Sequence, residues 1–68
     1  MSEQFFGANL RKILRELDMT QVELANRSGL TPAAVSQILD DKREPTLKTI
    51  CAILRVIPTT FERLVRKP

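Results

Sequence analysis

The stretch Thr20–Lys42, TQVELANRSGLTPAAVSQILDDK, decides the fold. It reads as two short helices joined by a tight turn. Thr20 is a good N-cap, and Glu23, three residues on, can reach back to the Thr20 amide and complete a capping box. Met19 and Leu24 stand where a hydrophobic staple closes over that helix start. Leu24 and Ala25 supply its inward face. Gly29 follows Ser28 where the chain needs a left-handed residue, a conformation glycine takes at least cost. Then the pattern repeats. Thr31 can cap a second helix, Pro32 suits its first position, and Leu30 and Val35 form a second staple. Val35, Ile38 and Leu39 recur at helical spacing.

Upstream, the run FGANLRKILRELD from Phe6 is a helix. It places Leu10, Ile13, Leu14 and Leu17 at i, i+3, i+4 and i+7, one apolar stripe for a core. Arg11, Lys12, Arg15 and Glu16 lie on its outer side, and Asp18 breaks the pattern. Downstream, Asp40 to Pro45 is a polar loop. Asp41 tolerates left-handed geometry better than most residues, and Glu44, preceding a proline, is extended. Thr46 caps a strongly apolar helix, TLKTICAILRVI, with Leu47, Ile50, Cys51 and Leu54 at core spacing and Ile53 and Ile57 to one side. Pro58 stops it. Thr60 caps a last short helix, FERLV, with Phe61, Leu64 and Val65 apolar. Residues 1–4 read as a loose end and Arg66-Lys67-Pro68 as a basic tail. The expected class is all-α, a compact five-helix domain without strands spanning residues 1–68.

Composition narrows the function. A chain of 68 residues with 43% hydrophobic residues can build one small core, and cores of this size are marginal unless well packed or dimeric. There is no His, Trp or Tyr, so histidine bases, histidine metal ligands and tyrosine acids are excluded. The single Cys51 excludes an intramolecular disulfide and a multi-cysteine zinc site. It reads as a small core residue beside Leu47 and Leu54. Asp40, Asp41 and Glu44 alternate with Lys42 and Arg43, which makes a neutralised loop rather than a metal cluster. No nucleophile–base pair is present, so an enzyme is not expected. No apolar run approaches a membrane span, and MSEQFFGANL lacks the regions of a signal peptide. A net charge of +3 and a pI near 9.6 suit a nucleic-acid partner, although a soluble basic protein needs no such explanation.

Two helices this close, with a glycine between them, cross steeply in a helix-turn-helix. Here the sequence resembles the Cro- and phage-repressor-like (lambda-repressor-like) helix-turn-helix DNA-binding domains. The resemblance rests on Thr20-Gln21, Glu23-Leu24-Ala25, Gly29, Val35 and Ile38. It continues through Lys42-Arg43-Glu44-Pro45-Thr46-Leu47, which match the family's basic loop and next helix start. It covers Phe6 to Val65. No single dipeptide is specific; the order and spacing are.

The resemblance implies a recognition helix over Pro32 to Leu39, entering the major groove with its N-terminal residues. Base reading then falls to Pro32, Ala33, Ser36 and Gln37. Gln37 is the sharpest candidate, because an amide pairs bidentately with adenine N6 and N7. Ser36 is an adaptable donor and acceptor. Ala33 and Pro32 offer apolar contact only, so part of any specificity would come from DNA shape. Backbone contacts fall to Gln21 and Thr31 at helix starts, and to Lys42 and Arg43 in the loop. Asn9, Arg11, Arg27 and Lys48 are weaker candidates. The family often has arginine at the position of Leu14, paired with glutamate at the position of Leu39. Two leucines here predict that Leu14 and Leu39 touch, since apolar replacement of a partly buried ion pair is commonly tolerated. The family also usually turns with glycine where Pro58 stands.

The implied function is a sequence-specific transcriptional regulator, a Cro-like repressor that binds a palindromic double-stranded operator as a homodimer. Ile53, Ile57, Phe61 and Val65 are the candidate dimer surface. The chain leaves no length for an effector domain after Val65. No cofactor, metal, small-molecule ligand or membrane is expected, and the place of action is the cytoplasm of a bacterial host. Two alternatives stay open. An antitoxin or a restriction-modification controller uses the same fold. A protein-interaction module would keep the fold without specific DNA binding.

Overall fold

Four threonines set the starts of four helices. In the computed structural model, which describes residues 5–67, the order is α1 Phe6–Leu17, α2 Gln21–Ser28, α3 Pro32–Leu39, α4 Leu47–Val56 and α5 Phe61–Val65. Thr20, Thr31, Thr46 and Thr60 precede α2 to α5. Each hydroxyl accepts from the amide three residues on: Glu23, Ala34, Thr49 and Arg63, at 3.1, 3.1, 3.2 and 3.3 Å. The capping box is complete, because the Thr20 amide donates to Glu23 Oε1 at 2.8 Å. An N-cap of this kind contributes about 1 kcal/mol. No strand occurs among the described residues. The loose end expected over residues 1–4, and Pro68 of the basic tail, lie outside them.

Three helices end through a left-handed residue: Asp18 at φ 56°, Gly29 at 78° and Asp41 at 58°. In each case the next amide reaches back to a carbonyl five residues earlier. Met19 donates to Leu14 at 2.9 Å, Leu30 to Ala25 at 3.1 Å and Lys42 to Gln37 at 2.9 Å. These bonds satisfy carbonyls the helix ends would leave unpaired. Only the middle one uses glycine; aspartate serves at the other two because its short polar side chain tolerates this region. α4 ends differently. Ile57 is extended, at φ −103° and ψ 127°, as a residue before proline must be.

The core is built from Phe6, Leu10 and Leu14 of α1, Leu24 and Ala25 of α2, Val35, Ile38 and Leu39 of α3, Ile53 of α4, Ile57, and Leu64 of α5. Leu14 and Leu39, the two leucines expected to meet, are 5% and 2% exposed in this one cluster. Two stripes are corrected. Leu17 is 41% exposed, because α1 ends at that residue and the chain turns away. The inward face of α4 is not Leu47, Ile50, Cys51 and Leu54. Leu47 is 75% exposed and Cys51 is exposed, while Ile50 and Leu54 are half-buried. Ala52, Ile53 and Ile57 are buried instead. The helix is rotated by roughly a quarter turn, at 3.6 residues per turn, from the expected orientation. Its sequence is apolar nearly all round, so periodicity alone did not select a face; packing against α2 does.

α1 meets the end of α3 closely. A Cβ on Gly7 would lie 2.6 Å from Asp41 Oδ1, 2.7 Å from the Leu39 carbonyl oxygen and 2.8 Å from that of Ile38. Gly7→Ala is expected to destabilise by about 1–3 kcal/mol, as overpacking against backbone does, and to lower Tm by at least several degrees. Gly29→Ala meets no atom within 4 Å; it is expected to cost about 1–2 kcal/mol from left-handed strain alone. Thermal unfolding of both variants, with a crystal structure of G7A showing α1 moved off α3, checks the distinction.

Candidate nucleic-acid interface

α3 is held from beneath and open on its outer side. Val35, Ile38 and Leu39 are buried. Pro32, Ala33 and Gln37 are exposed and Ser36 is half-buried. These four residues sit at i, i+1, i+4 and i+5, so they share one outward face. The start of that face is rigid, since Thr31 caps α3 and Pro32 occupies its first turn. Such a helix fits a major groove about 12 Å wide.

The loop beyond α3 is tied to the same element. The Lys42 amide donates to the Gln37 carbonyl, so the basic residue that opens the loop is fixed relative to the candidate reader. Lys42 and Arg43 are exposed. Gln21 opens α2 and is exposed, with Thr20 capping beside it. Thr31 is exposed too, and its hydroxyl already accepts from Ala34, so capping is what its side chain does in this structure.

A shallow cleft of about 260 Å³ adjoins this region, lined by Arg11, Leu14, Arg15, Thr20, Gln21 and Leu39, with Met19. It brings Arg15 beside Gln21. By sequence alone Arg15 is an outward residue of α1. The signal was its place in the last turn of α1, just before the left-handed Asp18 that swings the chain into α2.

Two of the weaker backbone candidates serve other ends. The Asn9 amide, in a residue 8% exposed, donates to the carbonyls of Leu64 and Arg66, at 2.8 Å each. It straps the end of α5 to α1. Arg11 Nε donates to the Leu39 carbonyl at 3.1 Å, and the guanidinium pairs with Asp40. That places a cation at the C-terminus of α3, where the helix dipole favours one. Arg27 lies in the last turn of α2, where its charge acts on Glu23; Lys48 is exposed in the first turn of α4. Among the described residues no group of three or more His, Cys, Asp or Glu is placed to hold a metal. Asp40 and Asp41 are occupied by Arg11 and by the Gly7 amide.

Residues 10–64 match the family model described as Helix-turn-helix. The chain belongs to the Cro- and phage-repressor-like helix-turn-helix family. It is a DNA-binding helix-turn-helix regulator, and its nucleic-acid partner is double-stranded DNA. No curated protein and no solved structure gives a significant match. The family's DNA-binding role is regulatory rather than typically enzymatic. No helix among the described residues is long and apolar enough to cross a membrane.

The family assignment does not identify a dimer surface, and the structure redraws the one expected from sequence. Ile53 and Ile57 are each 1% exposed. They fill the core of the single chain and present nothing to a second copy, a direct result of the rotation of α4. Phe61 and Val65 are 50% and 41% exposed on α5.

The Glu23 carboxyl is held below the usual glutamate range. The chief cause is the hydrogen bond from the Thr20 amide; desolvation opposes it, and the Thr20 hydroxyl and the charge of Arg27 add to it. A lowered folded-state pKa stabilises above the unfolded value, and the contribution is lost as pH falls through the folded one. Glu23→Gln keeps an acceptor for the box but removes the charge. Its Tm is expected below wild type at neutral pH, and the gap should close on acidification through and below the carboxylate range. Melting curves of both proteins across that range give the measurement.

Proposed function

We propose that this protein is a transcriptional repressor of Cro-like design, which binds a palindromic operator as a homodimer. The observation that carries the reading is the single outward face of α3. It holds Gln37 and Ser36, is rigidly capped by Thr31, and is bonded through the Gln37 carbonyl to Lys42. In this reading Gln37 reads an adenine edge and Ser36 adapts to a neighbouring base. Pro32 and Ala33 contact a thymine methyl, and Gln21, Thr31, Lys42 and Arg43 hold phosphates. Arg15, brought to Gln21 by the fold, joins that second group.

A reader face with one amide and one hydroxyl supplies few base-specific bonds. Two half-sites about one helical turn apart double them, which is the reason for proposing a dimer. Phe61 and Val65 are the surface proposed for it, with Leu47 as the other strongly exposed apolar residue after the recognition helix. Antitoxin and operon-controller roles share every one of these features and differ in the neighbouring gene.

The deciding experiment is selection of bound duplexes from a random pool at near-physiological salt. An enriched palindrome with half-sites one turn apart supports the reading; binding without enrichment, lost as salt rises, refutes it. On the selected duplex, Gln37→Ala is expected to cost about 1–3 kcal/mol and relax one base position. Lys42→Ala should weaken all sequences alike and lower the salt slope by about one. Titrations over a salt series separate the two.

Phe61→Lys tests the dimer. Sedimentation should show a shift to monomer, and operator half-saturation should move to higher concentration while the selected sequence stays the same. A dimer unchanged by this substitution and by Val65→Lys would remove α5 from the interface.

A further inference from the structure

α1 carries two stripes on opposite sides. Gly7, Leu10, Arg11 and Leu14 face α3. Asn9, Lys12, Ile13 and Glu16 repeat at the same spacing on the nearly opposite side, by the 3.6-residue turn. That second stripe forms one wall of a cleft of about 420 Å³. Arg63, Arg66 and Lys67, on and just beyond α5, form the other wall. Ile13 is half-buried between them, and the buried Asn9 amide is already spent on the carbonyls of Leu64 and Arg66.

The charges around this cleft are unbalanced. Lys12, Arg63, Arg66 and Lys67 stand against Glu16 alone, and among the described residues none of the four cations is in an ion pair. All four are exposed. Nothing in the packing of α3 requires them, since the cleft is turned away from the recognition face.

We propose that the α1–α5 cleft docks an acidic segment of a partner protein. Its carboxylates pair with Lys12, Arg63, Arg66 and Lys67, and an apolar side chain rests on Ile13. Charge complementarity selects the sign of the partner. Concavity and the half-buried Ile13 select a peptide over a duplex, whose phosphates follow a ridge and bring no apolar side chain. The cleft is open, so a free small anion would keep most of its water and its freedom. A chain with several carboxylates spans both walls at once and matches the planar forks of two arginines. Binding through exposed charges is fast to form and weakened by salt.

The test uses the full chain and a short synthetic peptide with glutamate at every other position and leucine and serine between. Amide shifts on adding the peptide should concentrate at Lys12, Ile13, Glu16, Arg63 and Arg66. The double variant R63E/R66E should weaken peptide binding about tenfold at low salt, as loss of exposed pairs allows. Arg63 lies across α5 from Phe61 and Val65 by the 3.6-residue turn, so sedimentation should show the dimer intact and affinity for the duplex selected by the native protein unchanged. The variant is expected to fold. Residue 63 is the third position of α5, where glutamate completes a capping box with Thr60, and it is the Arg66 carbonyl, not its side chain, that Asn9 holds. Four results overturn the proposal. The peptide does not bind; the shifts fall on α2 and α3, so that it merely mimics DNA; R63E/R66E binds it as well as the native chain; or the variant loses the dimer or the duplex, so that the cleft belongs to the DNA-binding assembly itself.

Discussion

The contact between the start of α1 and the end of α3 fixes where the recognition helix points. Gly7 has no side chain, so the Ile38 and Leu39 carbonyls come within reach of the α1 backbone. The Gly7 amide donates to Asp41 Oδ1 at 3.3 Å, setting a carboxylate near the positive end of α1. One turn on, Arg11 bonds the Leu39 carbonyl and Asp40. One further turn places Leu14, buried with Leu39, along the same line. Three successive turns of α1 thus grip the last turn of α3. Members of the family often hold these helices with an ion pair at the positions of Leu14 and Leu39. Here that pair is apolar, and the charged link lies between Arg11 and Asp40, about 40% exposed on each side. A buried pair must recover several kcal/mol of desolvation per ion, whereas an exposed one risks little and contributes about 0–1 kcal/mol. The burial of leucine therefore carries the stability, and the arginine sets register.

Local chemistry was legible in the sequence, and distant partnership was not. Each threonine cap acts over three residues, and Gly29 and Asp41 act on the turn they occupy, so reading them needs no fold. The face of α4 needs one. Seven apolar side chains surround that helix and Ile57 follows it, and only docking on α2 decides that Ile53 and Ile57 go in while Leu47 and Cys51 stay out. Asn9 and Arg11 show the same limit in polar form. Their partners lie 55 and 28 residues away in the chain, and a hydrophilic residue on a helix looks the same whether it faces DNA, solvent or another carbonyl. The outward residues of α3 were legible because capping and the buried Val35-Ile38-Leu39 stripe leave only one face for them.

The proposed reader is chemically sparse, and that changes what the scaffold has to supply. With Gln37 and Ser36 the only side-chain hydrogen-bonding groups on the face, a small tilt of α3 would forfeit most of the direct readout. Base edges must be met at hydrogen-bond distance with near-linear geometry. A helix richer in arginine could swing longer side chains to compensate. Here rigidity stands in for reach, which is why the grip of α1 on α3, the Thr31 cap and the bond from Lys42 to Gln37 all act on one short element.

Net charge alone conveys little of this. An excess of three positive charges spread evenly would give a weakly basic surface with no direction. The fold instead sorts its cations. Arg15 lies at one cleft beside the neutral Gln21, Lys42 and Arg43 flank the end of α3, and Lys12, Arg63, Arg66 and Lys67 collect behind α1. Three carboxylates near the first two groups are engaged: Asp40 by Arg11, Asp41 by the Gly7 amide and Glu23 by the Thr20 amide. Acidic side chains thus close the scaffold's own helix ends, and basic ones are left to face outward on two sides. A polyanion held at α3 leaves the α1–α5 cleft uncovered, which is what the proposed acidic segment needs in order to reach it.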